Sequence, residues 1–375
     1  MKFLIIASYP KSIFKFRGDL IKLLLKKGFE VHIATPINNE ESNDQDLINL
    51  RELNVRIHRY SLNRRGINIL EDLFSIFQLG YIFLKVSPNF VLAYTIKPVI
   101  YGMIMSFLTR VPNRISLITG LGISFTNIED KQNFYTRKII RFLYKVSLNL
   151  STKNIFQNKD DKKLFQKLKI IRNIENNYVI NGSGVNLSFF QKTNIPKDLT
   201  FLFIGRFLKS KGLIEYIEAA KAIKSEFQEV KFFIAGSIEN GFDAVSLEYL
   251  NPLIKDGIIE NLGYINDVRS AIKNSSVYVL PSYREGTPRS VLEAMAMARP
   301  IITTDAPGCR ETVINGFNGF KVKVRSTKEL VDAMKFFKNN PKSIKEMGNN
   351  SLEIVKERYD VRIINKKMLD YMGII

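Results

Sequence analysis

Short apolar runs alternate along the chain with segments whose apolar positions recur at helical spacing. In the first half, residues 2–7, 31–35, 55–59, 90–94 and 114–119 read as strands. Between them, residues 16–27, 46–53, 67–85, 98–109 and 136–147 read as helices, the first closed by Gly28. A polar stretch, 191–199, reads as a linker, and the rhythm then restarts. Strands are expected at 200–204, 230–235, 258–262, 277–280, 301–303 and 320–322. Helices are expected at 213–226, 268–274, 290–298, 328–339 and 341–358, with short pieces at 252–256 and 310–315. The alternation predicts an α/β chain of parallel sheets covered by helices on both faces. At 375 residues it exceeds one ordinary core. Two Rossmann-like parallel-sheet domains are therefore expected, residues 1–190 and 191–358, with a terminal helix in 359–375 returning to the first.

Charge changes the picture. The chain carries 56 Lys+Arg against 36 Asp+Glu, a net +20. Residues 1–190 hold 28 cations against 14 acids, and the remainder 28 against 22. A basic first half suits phosphorylated substrates, anionic lipid or nucleic acid; a general Lys, Asn and Ile bias would produce the same excess. The cations are dispersed, and no zinc-finger pattern or aromatic RNA-binding motif accompanies them, so nucleic acid is not expected as a partner. Cys309 is the one cysteine, which excludes an internal disulfide and a four-cysteine metal site. With only His32 and His58 beside it, no metal and no cofactor are expected. Residues 1–7 read as a first strand rather than a leader. The apolar run 73–84 is shorter than the ~20 residues of a membrane span, so any membrane contact is expected to be peripheral.

The candidate chemistry lies in the second half. Arg206 follows the strand 200–204, and Lys211 with Gly212 opens the next helix. Cations at a strand's carboxyl end beside a helix amino terminus suit a diphosphate, although such a pair also occurs as plain surface. Glu285 and Glu293 stand eight positions apart in REGTPRSVLEA. At helical spacing that places them about 12 Å apart on one face, beyond the ~5 to 9 Å of two carboxylates flanking one glycosidic bond. The separation suits two carboxylates gripping opposite parts of an elongated ligand such as a nucleotide-sugar. Glu293 lies among Val291, Leu292, Ala294 and Met295, where a buried carboxylate needs partners. The loop Gly286, Thr287, Pro288 and Arg289 offers backbone donors, with Pro288 suited to an early helical position.

The set GRF…KG, PSYREGTPRSVLEAMA and TTDAPGCRETV, with NGSGVN before it, resembles the large retaining glycosyltransferase family numbered four, whose members have the GT-B fold. The resemblance spans the chain and is sharpest over 200–320. It implies a donor site in which Arg206 and Lys211 contact the nucleotide-sugar diphosphate and Glu293 holds the ribose. In that site Glu285 contacts the sugar, while Tyr264 and Ile265 line the base pocket. Glu285, Arg206 and Lys211 would carry the catalysis, with Gly308 and Glu311 close to the same cleft and Cys309 a packed residue. The first domain would bind the acceptor through Ser12, Arg17, Lys97, Gly120 and Gly122. It has no glycine pair before Gly18 where the family often places one, and Lys97 stands near the family's usual histidine.

IKPVIYG and TGLG, with Phe16 and Arg17, resemble the subgroup acting on polyprenyl-diphosphate-linked sugars in bacterial surface glycan assembly. The expected function is retaining transfer of a hexose or N-acetylhexosamine from a nucleotide-sugar, expected to be UDP-linked, to a lipid-linked glycan of capsule, O-antigen or exopolysaccharide. The expected partners are that donor, that acceptor and an anionic membrane surface, met from the cytoplasmic side through the basic first domain and the apolar residues of 67–110. Two alternatives stand beside it: a nucleotide-sugar epimerase or soluble glycan synthase on the same fold, and a non-enzymatic basic lipid- or nucleic-acid-binding protein.

Overall fold

The computed structural model describes residues 1–36, 45–63, 68–121, 134–171 and 175–375. The chain divides into two compact units, Met1–Ser183 with Asn365–Ile375, and Gly184–Ile364. The first division falls ahead of the stretch 191–199, which is therefore part of the second unit.

Seven parallel strands build the first unit: β1 (Lys2–Ile6), β2 (Glu30–Thr35), β3 (Arg56–Arg59), β4 (Phe90–Tyr94), β5 (Asn113–Ile118), β6 (Lys153–Phe156) and β7 (Asn177–Val179). Their order is β3-β2-β1-β4-β5-β6-β7. The helices are α1 (Ile13–Lys26), α2 (Gln45–Glu52), α3 (Ile69–Val86), α4 (Ile96–Leu108), α5 (Phe134–Leu150) and α6 (Lys159–Lys167). β4 is buried along its whole length and β1 from its second residue on. That is why both are continuous apolar runs rather than alternating ones: each face is covered. α4 packs against α3 on one side and α5 on the other. It approaches the sheet closely at Gly102, where a Cβ would stand 2.8 Å from Ile6 Cδ1. Strand order reverses between β1 and β4, opening a crevice at their carboxyl ends. His32 is buried in β2, its Nδ1 2.9 Å from His58 Nε2 and its Nε2 3.1 Å from Glu30 Oε1.

The second unit repeats the plan with β8 (Thr200–Ile204), β9 (Lys231–Ala235), β10 (Glu260–Asn261), β11 (Val277–Leu280), β12 (Ile301–Thr304) and β13 (Gly319–Val322). These parallel strands run β10-β9-β8-β11-β12-β13, with the reversal between β8 and β11. The helices are α7 (Leu213–Glu226), α8 (Leu247–Lys255), α9 (Arg269–Lys273), α10 (Arg289–Ala296), α11 (Thr327–Asn339) and α12 (Pro341–Arg358). α13 (Val361–Met372) begins in this unit and ends in the first.

Some elements depart from the sequence pattern. The strand expected at 258–262 shrinks to the two-residue edge strand β10. The piece at 310–315 is only a 3-10 turn, Arg310–Thr312. The piece at 252–256 is the end of α8, which starts earlier because the Ser246 hydroxyl accepts from Tyr249 N at 3.3 Å. β6, α6 and β7 carried no usable signal: two strands of three or four residues show no period, and α6 is mostly charged.

The stretch read as a linker is fastened rather than loose. Arg299 is fully buried, with no carboxylate partner among the described residues. Its guanidinium donates to the carbonyls of Thr193 (3.1 Å), Asn194 (2.9 Å), Ile272 (3.0 Å), Lys273 (3.2 Å) and Met297 (2.7 Å), and to Thr193 Oγ1 (2.7 Å). Arg299→Met would orphan several buried acceptors at once, each worth about 1–3 kcal/mol when left unmade. The expected result is a loss of at least about 3 kcal/mol in denaturant unfolding, and faster proteolysis within 191–199. A melting curve superimposable on the wild type would show that water replaces the clamp at no cost.

Candidate functional site

The second unit gathers its chemistry where β8 and β11 end. After β8 the chain passes Gly205 and Arg206 into a 3-10 turn, Lys209–Lys211, and Gly212 then starts α7 in a left-handed conformation (φ +74°). A Cβ on Gly212 would lie 2.1 Å from Pro281 O, so only glycine lets this turn seat against the β11 end. Two further bonds join the loops: Ser282 Oγ donates to Ser210 O at 3.2 Å, and Tyr283 N to the same oxygen at 2.9 Å. Asp243 accepts from Ser210 N at 3.0 Å and from the Ser210 hydroxyl, which fixes the turn from the other side.

Held this way, the Lys211 ammonium meets the Glu285 carboxylate in an ion pair, both side chains mostly covered. Glu285 sits on the loop before α10, its N–H donating to Pro307 O at 3.0 Å. Gly308 (φ +77°) lies under this loop, where a Cβ would be 2.3 Å from Glu285 O and 2.5 Å from Gly286 O. Thr287 Oγ1 turns to Gly286 O at 3.0 Å. Pro288 caps the amino terminus of α10 without a side-chain hydrogen bond, so it stands just outside the helix. Glu293 is 2% exposed, and its partner is Arg289 Nε at 2.8 Å, one turn earlier. The buried carboxylate thus finds its counter-charge on its own helix.

One expectation is corrected here. Glu285 and Glu293 do not share a helix face, because α10 begins at Arg289 and Glu285 precedes it. Their eightfold spacing therefore sets no helical separation. The two carboxylates are placed instead by separate ion pairs, one reaching across from the β8–α7 turn and one within α10.

The remaining predicted residues surround this centre. Arg206 is exposed, its nearest acid Glu239 at 3.9 Å. Gly263 O accepts from Gly236 N at 2.9 Å, tying the segment before Tyr264 to the end of β9. Tyr264 itself is exposed, and Ile265 packs at the margin of the core. The main-chain carbonyl of Glu311 accepts from Tyr359 Oη at 2.7 Å. Cys309 is buried, and burial together with the Glu285 charge pushes its thiol up to about 12, so it stays protonated at neutral pH. Tyr278 is raised further by burial; its hydroxyl donates to Ile204 O at 3.1 Å.

In the first unit two of the predicted residues, Ser12 and Arg17, lie near the ends of β1 and β4, and the others that are described lie elsewhere. Ser12 closes the 3-10 turn after β1, its hydroxyl donating to Tyr9 O at 2.8 Å. Arg17 is buried in the first turns of α1, its guanidinium 5.4 Å from the Tyr94 ring centroid. Burial pushes the Tyr94 hydroxyl up to about 12, with Arg17 and Ser12 acting against the shift. Lys97 pairs with Asp72 of α3 at 2.6 Å, and burial with the Asp72 hydrogen bond raises the Tyr101 hydroxyl. Lys97 therefore braces α4 to α3. Gly120 (φ +143°) follows β5, and Gly122 lies outside the described residues.

Sequence reasoning missed Thr95 and Ser8, which bridge the ends of β4 and β1 through a 2.8 Å hydroxyl bond. Thr95 adopts φ +68°, ψ 163°, a strained conformation for a β-branched residue. No sequence signal marks such a residue. Ser210 and Asp243 were missed too, since their pairing depends on two loops meeting.

Among the described residues no group of three His, Cys, Asp or Glu side chains could hold a metal ion. The second-unit site combines a mostly covered ammonium, an exposed guanidinium and two helix amino termini with two carboxylates. Such a set neutralises an anion at one point and accepts hydroxyl hydrogen bonds at two others.

Comparison with known proteins matches residues 185–353 to the family described as Glycosyl transferases group 1, and residues 7–158 to Glycosyl transferase 4-like. The chain is 28% identical, over 96% of its length and 94% of the relative's, to the N,N'-diacetylbacillosaminyl-diphospho-undecaprenol alpha-1,3-N-acetylgalactosaminyltransferase of Campylobacter jejuni. It is 26% identical, over 96% and 93%, to the capsular polysaccharide biosynthesis glycosyltransferase CapM of Staphylococcus aureus. Among solved structures, Anabaena Alr3699/HepE in complex with UDP and glucose superimposes with a TM-score of 0.77 at 16% identity, covering all of both chains. The two parallel-sheet units are those of the GT-B fold.

Proposed function

The chain is a glycosyltransferase that joins a Glycosyl transferase 4-like domain to one of group 1, and on that footing we propose that it moves a hexose or N-acetylhexosamine from a UDP-linked donor to a polyprenyl-diphosphate-linked glycan, with retention at the anomeric carbon. The observation that carries the reading is the Lys211–Glu285 pair at the β8–β11 reversal, beside the Arg289–Glu293 pair of α10. The undecaprenol named for the Campylobacter relative, and the capsule named for the staphylococcal one, support a lipid-linked acceptor in surface glycan assembly.

As the sugar leaves, negative charge grows on the departing diphosphate. Lys211 and Arg206, with the first N–H groups of α7 and α10, stabilise that charge. Glu285 holds Lys211 in place and accepts from a sugar hydroxyl. Glu293, oriented by Arg289, accepts from the ribose hydroxyls, and Tyr264 and Ile265 flank the base. Ser12, Arg17 and Thr95, at the ends of β1 and β4, are the residues this reading assigns to the acceptor.

The direct test incubates the protein with UDP- and GDP-sugars, with and without a polyprenyl-diphosphate sugar. Acceptor-dependent nucleotide release and an unchanged anomeric configuration by NMR are expected. A donor sugar altered without acceptor would instead mark an epimerase, and no donor consumption would sink the reading. Gly308→Ala gives a finer check on the Glu285 loop. Its Cβ cannot coexist with the present loop path, and a displacement near 1 Å costs about 10²-fold in turnover. Wild-type turnover from a folded Gly308→Ala protein would show that the loop position is unimportant.

A further inference from the structure

One residue ties down the chain on both sides of Lys211. Tyr283 N donates to Ser210 O at 2.9 Å, just before the lysine. The Tyr283 hydroxyl donates to Glu215 Oε1 at 2.6 Å, just after it, in the first turn of α7. Glu285, which meets the Lys211 ammonium, follows Tyr283 on the same loop. The ion pair therefore spans two segments that Tyr283 joins twice. A third segment covers the ring, with the Arg325 guanidinium 4.9 Å from its centroid. Arg325 belongs to the turn between β13 and α11 and adopts φ +64°, a conformation that costs a residue with a side chain free energy.

The second tie is an expensive way to fasten two loops. The Glu215 side chain is partly covered, and its other oxygen, Oε2, is buried with no hydrogen-bond partner among the described residues. A carboxylate so placed gives up hydration that one phenol does not fully replace. Two apolar side chains would hold the same loops together without that loss. What the phenol–carboxylate bond adds is direction, because a short charge-assisted bond weakens steeply away from its axis. Burial and the Glu215 hydrogen bond raise the Tyr283 hydroxyl above its ordinary value, with Arg325 acting against the shift, so it stays a donor through the neutral range.

We propose that Tyr283 is a positioning residue for glycosyl transfer: its bond to Glu215, with Arg325 over the ring, sets the Lys211 ammonium where the departing diphosphate needs it. The phenol acts through the β8–α7 turn and needs no contact with the donor. The inference rests on the role given to Lys211 in the proposed function. The charge that Lys211 meets grows only as the sugar leaves, so a loosened turn is felt in the rate more than in donor affinity.

Tyr283→Phe keeps the ring, the main-chain bond to Ser210 and the Arg325 contact, and removes only the tie to Glu215. Its kcat for acceptor-dependent nucleotide release is expected to fall about 10–100-fold, the cost of a misplacement near 1 Å, with a donor KM within about threefold of the wild type. Glu215→Leu should show the same loss, and Glu215→Gln, which still offers the phenol an oxygen, should recover most of it. In a Lys211→Ala background Tyr283→Phe should cost less than about threefold more, since groups acting through one another are not additive. Without any substrate, amide hydrogen exchange across 206–212 should quicken about tenfold in Tyr283→Phe. Wild-type kcat in Tyr283→Phe, its full loss persisting without Lys211, or unaltered exchange each overturns the proposal. So does a lower melting temperature with turnover per folded molecule unchanged, the mark of packing alone. Lys211→Ala at wild-type turnover would overturn the role of Lys211 and this inference with it. A slowed Lys211→Ala beside an unaffected Tyr283→Phe would overturn the inference alone.

Discussion

Alanine in place of Lys211 is expected to lower kcat for acceptor-dependent nucleotide release by about 10²–10³-fold, the usual cost of removing one preorganised group that stabilises a developing anion. The reason lies in where the ammonium is held. It comes from a turn that the Gly212–Pro281 approach and the Ser210–Asp243 bonds fix, and it is already paired with Glu285 before any ligand arrives. An unbound flexible lysine would have to be ordered during the reaction; this one is not. Because the charge it meets grows only as the sugar leaves, the loss should fall on kcat more than on the donor KM. Lys211→Arg should recover only part of it, since a planar guanidinium does not fit the place of a compact ammonium. A loss confined to KM would show that Lys211 merely binds the ground state, and the leaving-group argument would then fail.

Glutamine at Glu293 is expected to raise the donor KM by about 10–100-fold, the worth of a hydrogen bond to a charged acceptor, with a smaller change in kcat. It should also cost stability, because the guanidinium of Arg289 would lose its counter-charge in a mostly buried setting. Removing one partner of such a pair is far more damaging than removing both. The two effects can be separated by the double variant Arg289→Met with Glu293→Met. Its melting temperature should return toward the wild type while UDP binding by calorimetry stays weak. Full recovery of UDP binding in the double variant would mean that the carboxylate serves only the fold.

The alternation of apolar runs and amphipathic segments was enough to predict two parallel-sheet domains, because a parallel sheet buried on both faces leaves strands such as Phe90–Tyr94 and Thr200–Ile204 apolar except at one end, Tyr94 in the first and Thr200 in the second. The same local logic failed where elements are too short to show a period, at β6, β7 and β10. Gln191–Leu199 looked like a linker because it is polar. What fixes 193–194 is an arginine more than a hundred positions away, and long-range donors of that kind leave no mark on the segment they hold.

The candidate chemistry was legible as residue types and only partly as geometry. Glu293 among apolar neighbours demanded a partner, and Arg289, four residues earlier on a helix, was the spacing signal that could have named it. Glu285 and Glu293 suggested one helix face, and the start of α10 at Arg289 removed that possibility. The outward face of α3 shows the same division. Its sequence reads as an apolar helix, and only the packed layer reveals which of those residues stay exposed.

Sequence alone therefore determined the architecture and the stock of reactive groups, since backbone pairing and burial follow from local pattern. Tertiary structure decided which charges meet: Lys211 with Glu285, Lys97 with Asp72, Arg299 with the 193–194 carbonyls. The physical reason is that an ion pair or a buried hydrogen bond depends on distances between segments remote along the chain, and those distances exist only after the sheets have formed.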